Sequence, residues 1–326
     1  MSRKPKLFIL LITLSMLFGL AQAATAEYPD KPITMYAVFS PGGSLDTTAR
    51  ALSAAAEKIL GQPIVLVTKA GGAGTVGAGV LANDKPDGYT LAAATTSTVA
   101  IVPLRRKVPF KPLADFTFIF GYVAPSSGIQ VRKDAPFQTF KELVAYAKKN
   151  PGKIKYSSAG SGSPMHLAMA YVGKKENIKW IHVPYKGSAK AGNACLGGHV
   201  DVVSSGELNL ALTGQLKAIA THTEKRIPQL PDVPTLIELG YDFFNETKFG
   251  IFGPAGMDPA IVKKLEDAFA IAVKDPKFKE VCYNFTMTPV SMRSKPFTEY
   301  TNNLWGVMTE RLKKAGLIKE PATKPR

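Results

Sequence analysis

Cysteine is nearly absent from this 326-residue chain: Cys195 and Cys282 are the only two. A disulfide framework therefore does not hold a chain of this size together. Each cysteine sits in an apolar helical pattern, and the sequence leaves a single bridge and two buried thiols both open. Histidine is scarce, with His166, His182, His199 and His222 scattered along the chain. Cys195 and His199 are four apart, but Gly197-Gly198 breaks the helix between them, so no metal cluster is expected. No serine occupies a G-x-S-x-G elbow, and no constellation for nucleophilic catalysis is in view. The chain reads as a non-enzyme that needs no cofactor. After residue 20 no apolar run is long enough to cross a membrane. Nor is there a stripe of basic and aromatic residues of the kind that binds nucleic acid. Acids are the minority charge, 25 against 41 Lys and Arg, for a net charge of +16. Such a field attracts anionic solutes and anionic surfaces, although most of the cations are dispersed as on a solvated surface.

What is present begins with an address. Arg3, Lys4 and Lys6 precede an almost unbroken apolar run over residues 7–20. Ala21-Gln22-Ala23 and Ala24-Thr25-Ala26 then offer two small-x-small cleavage options. This is the pattern of a secretory signal peptide over residues 1–26. Export removes cytosolic explanations for the motifs that follow. About 300 residues remain, enough for a large core and usually for two lobes.

Those residues alternate between strand and helix patterns. Strands are expected over residues 33–39, 64–67, 90–95, 155–158, 180–183, 200–204, 217–220 and 248–252. Helices are expected over 44–60, 76–82, 188–196, 259–273 and 296–315, with another opening at Ser163-Pro164, an N-cap followed by proline at the first helical position. Alternation of this kind argues α/β with mainly parallel sheets. Stretches near residues 121–128 and 243–248 read as two crossings between lobes. One lobe then comprises residues 27–122 plus 247–326, its C-terminal helix free to reach the other, and the second comprises 123–246. Two sequential domains are the alternative. The Pro/Lys tail after Leu317 is expected to be disordered.

Two strand-to-helix loops stand out. The first is Phe39-Ser40-Pro41-Gly42-Gly43-Ser44-Leu45-Asp46, and the second is Ala159-Gly160-Ser161-Gly162-Ser163. Each opens a helix, where free N–H groups and the positive end of the dipole favour an anion. In an open α/β sheet, ligands bind beyond the carboxyl ends of strands. A carboxylate fits both loops; two tight helix starts without a ligand fit them as well. Asp46, in the first turn, either stabilises the dipole or takes hydrogen bonds from the loop amides. His166, at the third position of its helix, either faces a ligand or is an ordinary packed histidine. Gly72-Ala73-Gly74-Thr75-Val76-Gly77 matches G-x-G-x-x-G, but no acid near position 97 stands ready for a ribose.

The chain resembles one family over nearly its whole exported length: the solute-binding proteins of tripartite tricarboxylate transporters, the Bug family of Gram-negative periplasms. The resemblance rests on Tyr28-Pro29-Asp30-Lys31-Pro32-Ile33, Pro41-Gly42-Gly43-Ser44-Leu45-Asp46, Gly71-Gly72-Ala73-Gly74 and Pro86-Asp87-Gly88-Tyr89-Thr90-Leu91. It continues through Ser158-Ala159-Gly160-Ser161-Gly162-Ser163, His182-Val183-Pro184-Tyr185-Lys186-Gly187-Ser188 and Leu230-Pro231-Asp232-Val233-Pro234-Thr235. It implies a periplasmic-binding-protein fold, two α/β lobes around a cleft. It also implies a monomer that captures a di- or tricarboxylate or an aromatic acid and docks on a two-subunit membrane permease. The two loops are expected to hold one carboxylate from opposite lobes, and the Gly71-Gly72 turn becomes cleft architecture. A sensor subunit presenting its ligand to a membrane kinase has the same fold and is the alternative.

Selectivity is then expected where the far end of the ligand points. Thr95, Thr96 and Ser97 follow one strand, and Ser205 and Glu207 follow another. This chain departs here from the commoner Asn- or Pro-containing versions. Glu207 is the oddity, since an anion beside a carboxylate site repels its ligand unless the ligand carries an amine or Glu207 is paired. Tyr185 and Lys186 are expected to supply an aromatic wall and a cation.

Overall fold

The computed structural model describes residues 28–325; the leader expected over residues 1–26 lies outside them. The first half alternates as expected: β1 (Ile33–Ala37), α1 (Ser44–Leu60), β2 (Ile64–Thr68), α2 (Thr75–Leu81), β3 (Thr90–Thr95), then short α3 (Thr96–Ala100) and α4 (Val102–Arg105). Next come β4 (Phe116–Ala124), β5 (Gly128–Val131), α5 (Phe140–Lys149), β6 (Lys155–Ser158), α6 (Pro164–Glu176), β7 (Ile181–Pro184) and α7 (Ser188–Leu196). The chain continues through β8 (Val202–Ser205), α8 (Asn209–Leu212) and β9 (Lys217–Thr221), then β10 (Phe249–Pro254), α9 (Pro259–Ala272), α10 (Pro276–Asn284), β11 (Thr288–Arg293) and α11 (Ser294–Lys314).

The strands form two sheets. The larger has the order β11-β4-β10-β3-β1-β2 and the smaller β7-β6-β8-β5-β9. The expectation of mainly parallel sheets is corrected. β1 pairs in parallel with β2 and β3, and β6 with β7 and β8. β10, β4, β11 and β5 all join antiparallel. β4 and β5 flank the first passage of the chain between sheets, and β10 follows the second. The stretch near residues 121–128 is likewise not an open crossing. It holds the end of β4 and the start of β5, separated by three residues.

Both faces of the larger sheet are covered. Along β10, Ile251 points to one cluster with Leu52, Leu265, Phe269 and Phe278, and Phe252 to another with Phe118 and Phe297. That alternation is the period of two that a strand imposes on its side chains. Gly121 and Gly250 are needed because the ring of Phe297 stands where their Cβ atoms would be. The smaller sheet packs on Phe140, Leu143, Leu167 and Val172. The same cluster takes in Ile101 and Leu104 from the turns after β3, and Leu304, Met308 and Leu312 from α11. α11 therefore begins against the larger sheet at Phe297 and ends in the core of the smaller lobe.

One further expectation is corrected, and one open alternative is decided. The tail is anchored: Ala322 N–H donates to Leu104 C=O (3.1 Å) and Thr323 N–H to Pro103 C=O (2.9 Å). Cys195 and Cys282 are free thiols, buried in different lobes, and burial pushes each up to about 12. Among the described residues no helix is long and apolar enough to cross a membrane, and no group of three or more His, Cys, Asp or Glu side chains is placed to hold a metal.

Candidate functional site

The carboxyl ends of β1, β3, β6 and β8 face one another across the gap between the lobes, and a cavity of about 40 Å³ lies there. Three helices of nine residues or more start on its wall. α1 contributes Ser44 and Leu45, α6 contributes Pro164 and Met165 with their cap Ser163, and α7 contributes Ser188. The turn into α3 adds Thr95 and Ser97, whose hydroxyls lie 2.7 Å apart. Each helix start turns the positive end of its dipole toward the cavity. The rest of the lining is largely apolar: Phe39, Ala73, Ala159, Met165 and Phe249 among others.

The two predicted loops differ in how they are held. In the second, Ser163 Oγ accepts from His166 N–H (3.3 Å), and Gly162 N–H donates to His166 Nδ1 (2.9 Å). His166 therefore carries no proton on Nδ1. Its ring stacks on His182 at 4.2 Å, and His182 Nε2 meets Ser158 Oγ at 2.7 Å. Burial pulls His166 down to about 3 and His182 to about 4, so both rings stay neutral at physiological pH. His166 braces its own loop and does not line the cavity. Gly160, at φ +130°, runs so close to Ala73 that a Cβ would stand 3.0 Å from its amide nitrogen. The Gly71-Gly72 turn is thus part of the cleft wall.

The first loop lacks an internal cap. Gly43 precedes α1 and has no side chain to bond its amides. Asp46 is turned back, accepting from Gly42 N–H (3.1 Å) and from Arg50 Nε (3.1 Å) and Nη2 (3.0 Å). It shapes the loop and does not reach the cavity. The cap comes instead from the other lobe: Ser44 N–H donates to Glu207 Oε1 at 2.7 Å. A Cβ on Gly43 would lie 3.0 Å from that oxygen, so a side chain there would press the carboxylate back by a few tenths of an ångström.

Glu207 is pinned along its backbone. Its N–H donates to Ser205 Oγ (3.1 Å), its carbonyl accepts from Gln130 Nε2 (2.7 Å), and the preceding Gly206 N–H donates to Ser188 Oγ (3.2 Å). The residue is 6% exposed. Burial pushes its carboxyl up to about 7, against the opposing pull of the bonds from Ser44.

Of the predicted residues, Phe39, Gly43, Ser44, Thr95, Ser97, Ala159, Ser163 and Glu207 line the cavity together. Pro41 and Gly42 are exposed on the outer side of their loop, and Gly160, Ser161 and Gly162 supply loop backbone away from the lining. Thr96 ties its turn to β10, since its Oγ1 accepts from Lys248 N–H (3.0 Å). Ser205 is buried behind Glu207. Lys186 and Tyr185, expected to supply a cation and an aromatic wall, are not among the residues that line the cavity. Lys186 is exposed, and what crosses the cleft is its backbone carbonyl, which accepts from Ser40 N–H (3.1 Å) and Ser40 Oγ–H (2.8 Å). Tyr185 is half-buried against the apolar cluster that contains Cys195 and Val203. Sequence reasoning did not select Ser40, Leu45, Ala73, Pro164, Met165, Ser188, Gly206, Thr247 or Phe249. Ser188 had a signal, the glycine before a helix start; Thr247 and Phe249 had none beyond their place at the start of a strand.

A family model described as the tripartite tricarboxylate transporter family receptor matches residues 48–318. The chain is 36% identical over 301 residues to a UPF0065 protein from the gbd 5′ region of Cupriavidus necator, with 92% of both chains covered. Among solved structures it is similar to the periplasmic binding protein BugD, at 31% identity and a TM-score of 0.83, covering 89% of this chain and 99% of that one. It is also similar to MatC of Rhodopseudomonas palustris with bound malate, at 26% identity and a TM-score of 0.81, covering 87% and 99%. The two lobes and their cleft are those of a periplasmic-binding-protein fold.

Proposed function

This chain belongs to the tripartite tricarboxylate transporter receptor family, and from that premise we propose that it is an extracytoplasmic receptor that captures a small carboxylate in the cleft. The observation that carries the reading is the convergence of three helix N-termini on one hydroxyl-lined cavity. Amides and hydroxyls arranged in this way bind an anion without performing chemistry on it. The malate held by the similar MatC fold supports the same ligand class. The cavity-lining residues of the two loops, together with Thr95, Ser97 and Ser188, are assigned to the ligand. The lobes divide as residues 27–122 plus 247–326 and residues 123–246. The leader directs the chain to the periplasm, where it works as a monomer and hands its ligand to a two-subunit membrane permease.

The test is a thermal-shift screen of the purified protein against mono-, di- and tricarboxylates, aromatic acids and amino acids. A ligand at 100 times its Kd adds about 2.7 kcal/mol of stability, enough to register as a clear shift. Folded protein, shown by denaturing mass spectrometry to carry no retained ligand and stabilised by none of these compounds, would sink the reading.

A further inference from the structure

Glu207 carries the only charge among the described residues that line the cavity, and no cation there answers it. Its side chain takes part in none of the ion pairs among the described residues. Its hydrogen-bonded partner is the Ser44 amide. The anion position at the start of α1 is thus already filled from within the protein. Each helix N-terminus is equivalent to roughly half a positive charge. Three of them offer the cavity roughly one and a half, and Glu207, when ionised, offsets up to one. Less than one further negative charge is then balanced by the protein. A plain dicarboxylate brings two, and sets one of them beside a buried carboxylate.

We infer that this site takes a carboxylate that also bears an ammonium group, with Glu207 receiving the cation and the N-termini of α6 and α7 receiving the carboxylate. The inference rests on the carboxylate-receptor reading and narrows it to amino acids and related zwitterions. A neutral zwitterion adds no net charge to the cavity, and its ammonium supplies the cationic partner that Glu207 lacks. Three backbone bonds, at Gly206 N–H, Glu207 N–H and Glu207 C=O, fix the position of the acid before any ligand arrives. That is the preorganisation expected of a specificity-determining residue.

The experiment compares matched pairs by isothermal titration calorimetry at pH 7.5: aspartate with succinate, alanine with propionate, and phenylalanine with 3-phenylpropionate. In the unmodified protein the amine-bearing member of the pair that fits is expected to bind at least tenfold more tightly. In Glu207→Gln, whose amide oxygen still accepts from Ser44 N–H, that preference is expected to vanish or reverse. Glu207→Asp, which keeps the charge, is expected to retain the direction of the preference. Melting curves of each variant establish that it is folded. Succinate or another amine-free acid binding as tightly as its amine-bearing partner would overturn this inference and leave the receptor reading standing. An amine preference that persists unchanged in Glu207→Gln would overturn the role of Glu207. Failure of every carboxylate and amino acid to bind would overturn both.

Discussion

The loop before α1 and the loop before α6 look alike as sequences, each a short run of glycine and serine opening a helix. They differ in where their missing hydrogen bonds are made. The second loop is self-sufficient: Ser163 caps α6, Pro164 has no N–H to satisfy, and His166 returns a bond to Gly162. The first is incomplete within its own lobe and is finished by Glu207 from the other. One half of the site is therefore built once, when its lobe folds. The other half is complete only where the two lobes meet.

The strongest way to break that asymmetry is to deny the approach. Gly43→Leu is expected to leave the fold intact by circular dichroism and to weaken ligand binding by a hundredfold or more, because its side chain must occupy the space of Glu207 Oε1 and Ser40 O. Unchanged affinity in this variant would show that the contact at Gly43 is dispensable.

Next in size are the two cap deletions, compared side by side. Glu207→Ala leaves the Ser44 amide without its acceptor, a loss of about 1–3 kcal/mol for a buried donor, and it is expected to fall on lobe closure. Small-angle scattering of the empty protein should then report a more open molecule. Ser163→Ala is expected to lower overall stability by about 1 kcal/mol with no change in scattering. Equal effects on both observables would erase the distinction between the loops.

The subtlest test is pH. The folded protein holds the Glu207 proton more tightly than the unfolded chain does, with the carboxyl raised from 4.5 to about 7 by burial. Its contribution is fully present below 4.5 and is lost as pH rises toward and through 7, by about 3 kcal/mol in all. The half-buried His166 and the buried His222, each lowered to about 3 by burial, act in the opposite sense. The unfolded chain binds their protons first, so stability falls as pH drops below 6.5. The stability of the unmodified protein minus that of Glu207→Gln, measured from pH 5 to 8, isolates the first effect. A difference that does not change with pH would show that Glu207 is not held in the environment described.

The alternating pattern of the first lobe was readable because α1 places Leu45, Ala49, Leu52 and Ala56 on one buried face, a periodicity local to one segment. β4 was not read as a strand, because Gly121 resembles a break. Its glycine makes room for Phe297, 176 residues further on, and no local pattern carries that information. The same limit divides the site. Loop glycines and helix caps are local signals, and both loops were found. That Glu207 was unusual was legible; that it would cap Ser44, 163 residues away, was not. Lys186 drew attention because its charge is conspicuous in sequence, whereas the contact it makes across the cleft is through a carbonyl that every residue possesses.

α11 has a mechanical consequence. At 1.5 Å per residue, its 21 residues make a rod about 30 Å long, seated at Phe297 in one lobe and at Leu304, Met308 and Leu312 in the other. A rod fixed at both ends prevents its two seats from simply drawing apart. It lets them pivot, with small displacement near the rod and larger displacement at the far rim. Any opening of the cleft is thereby expected on the side away from α11.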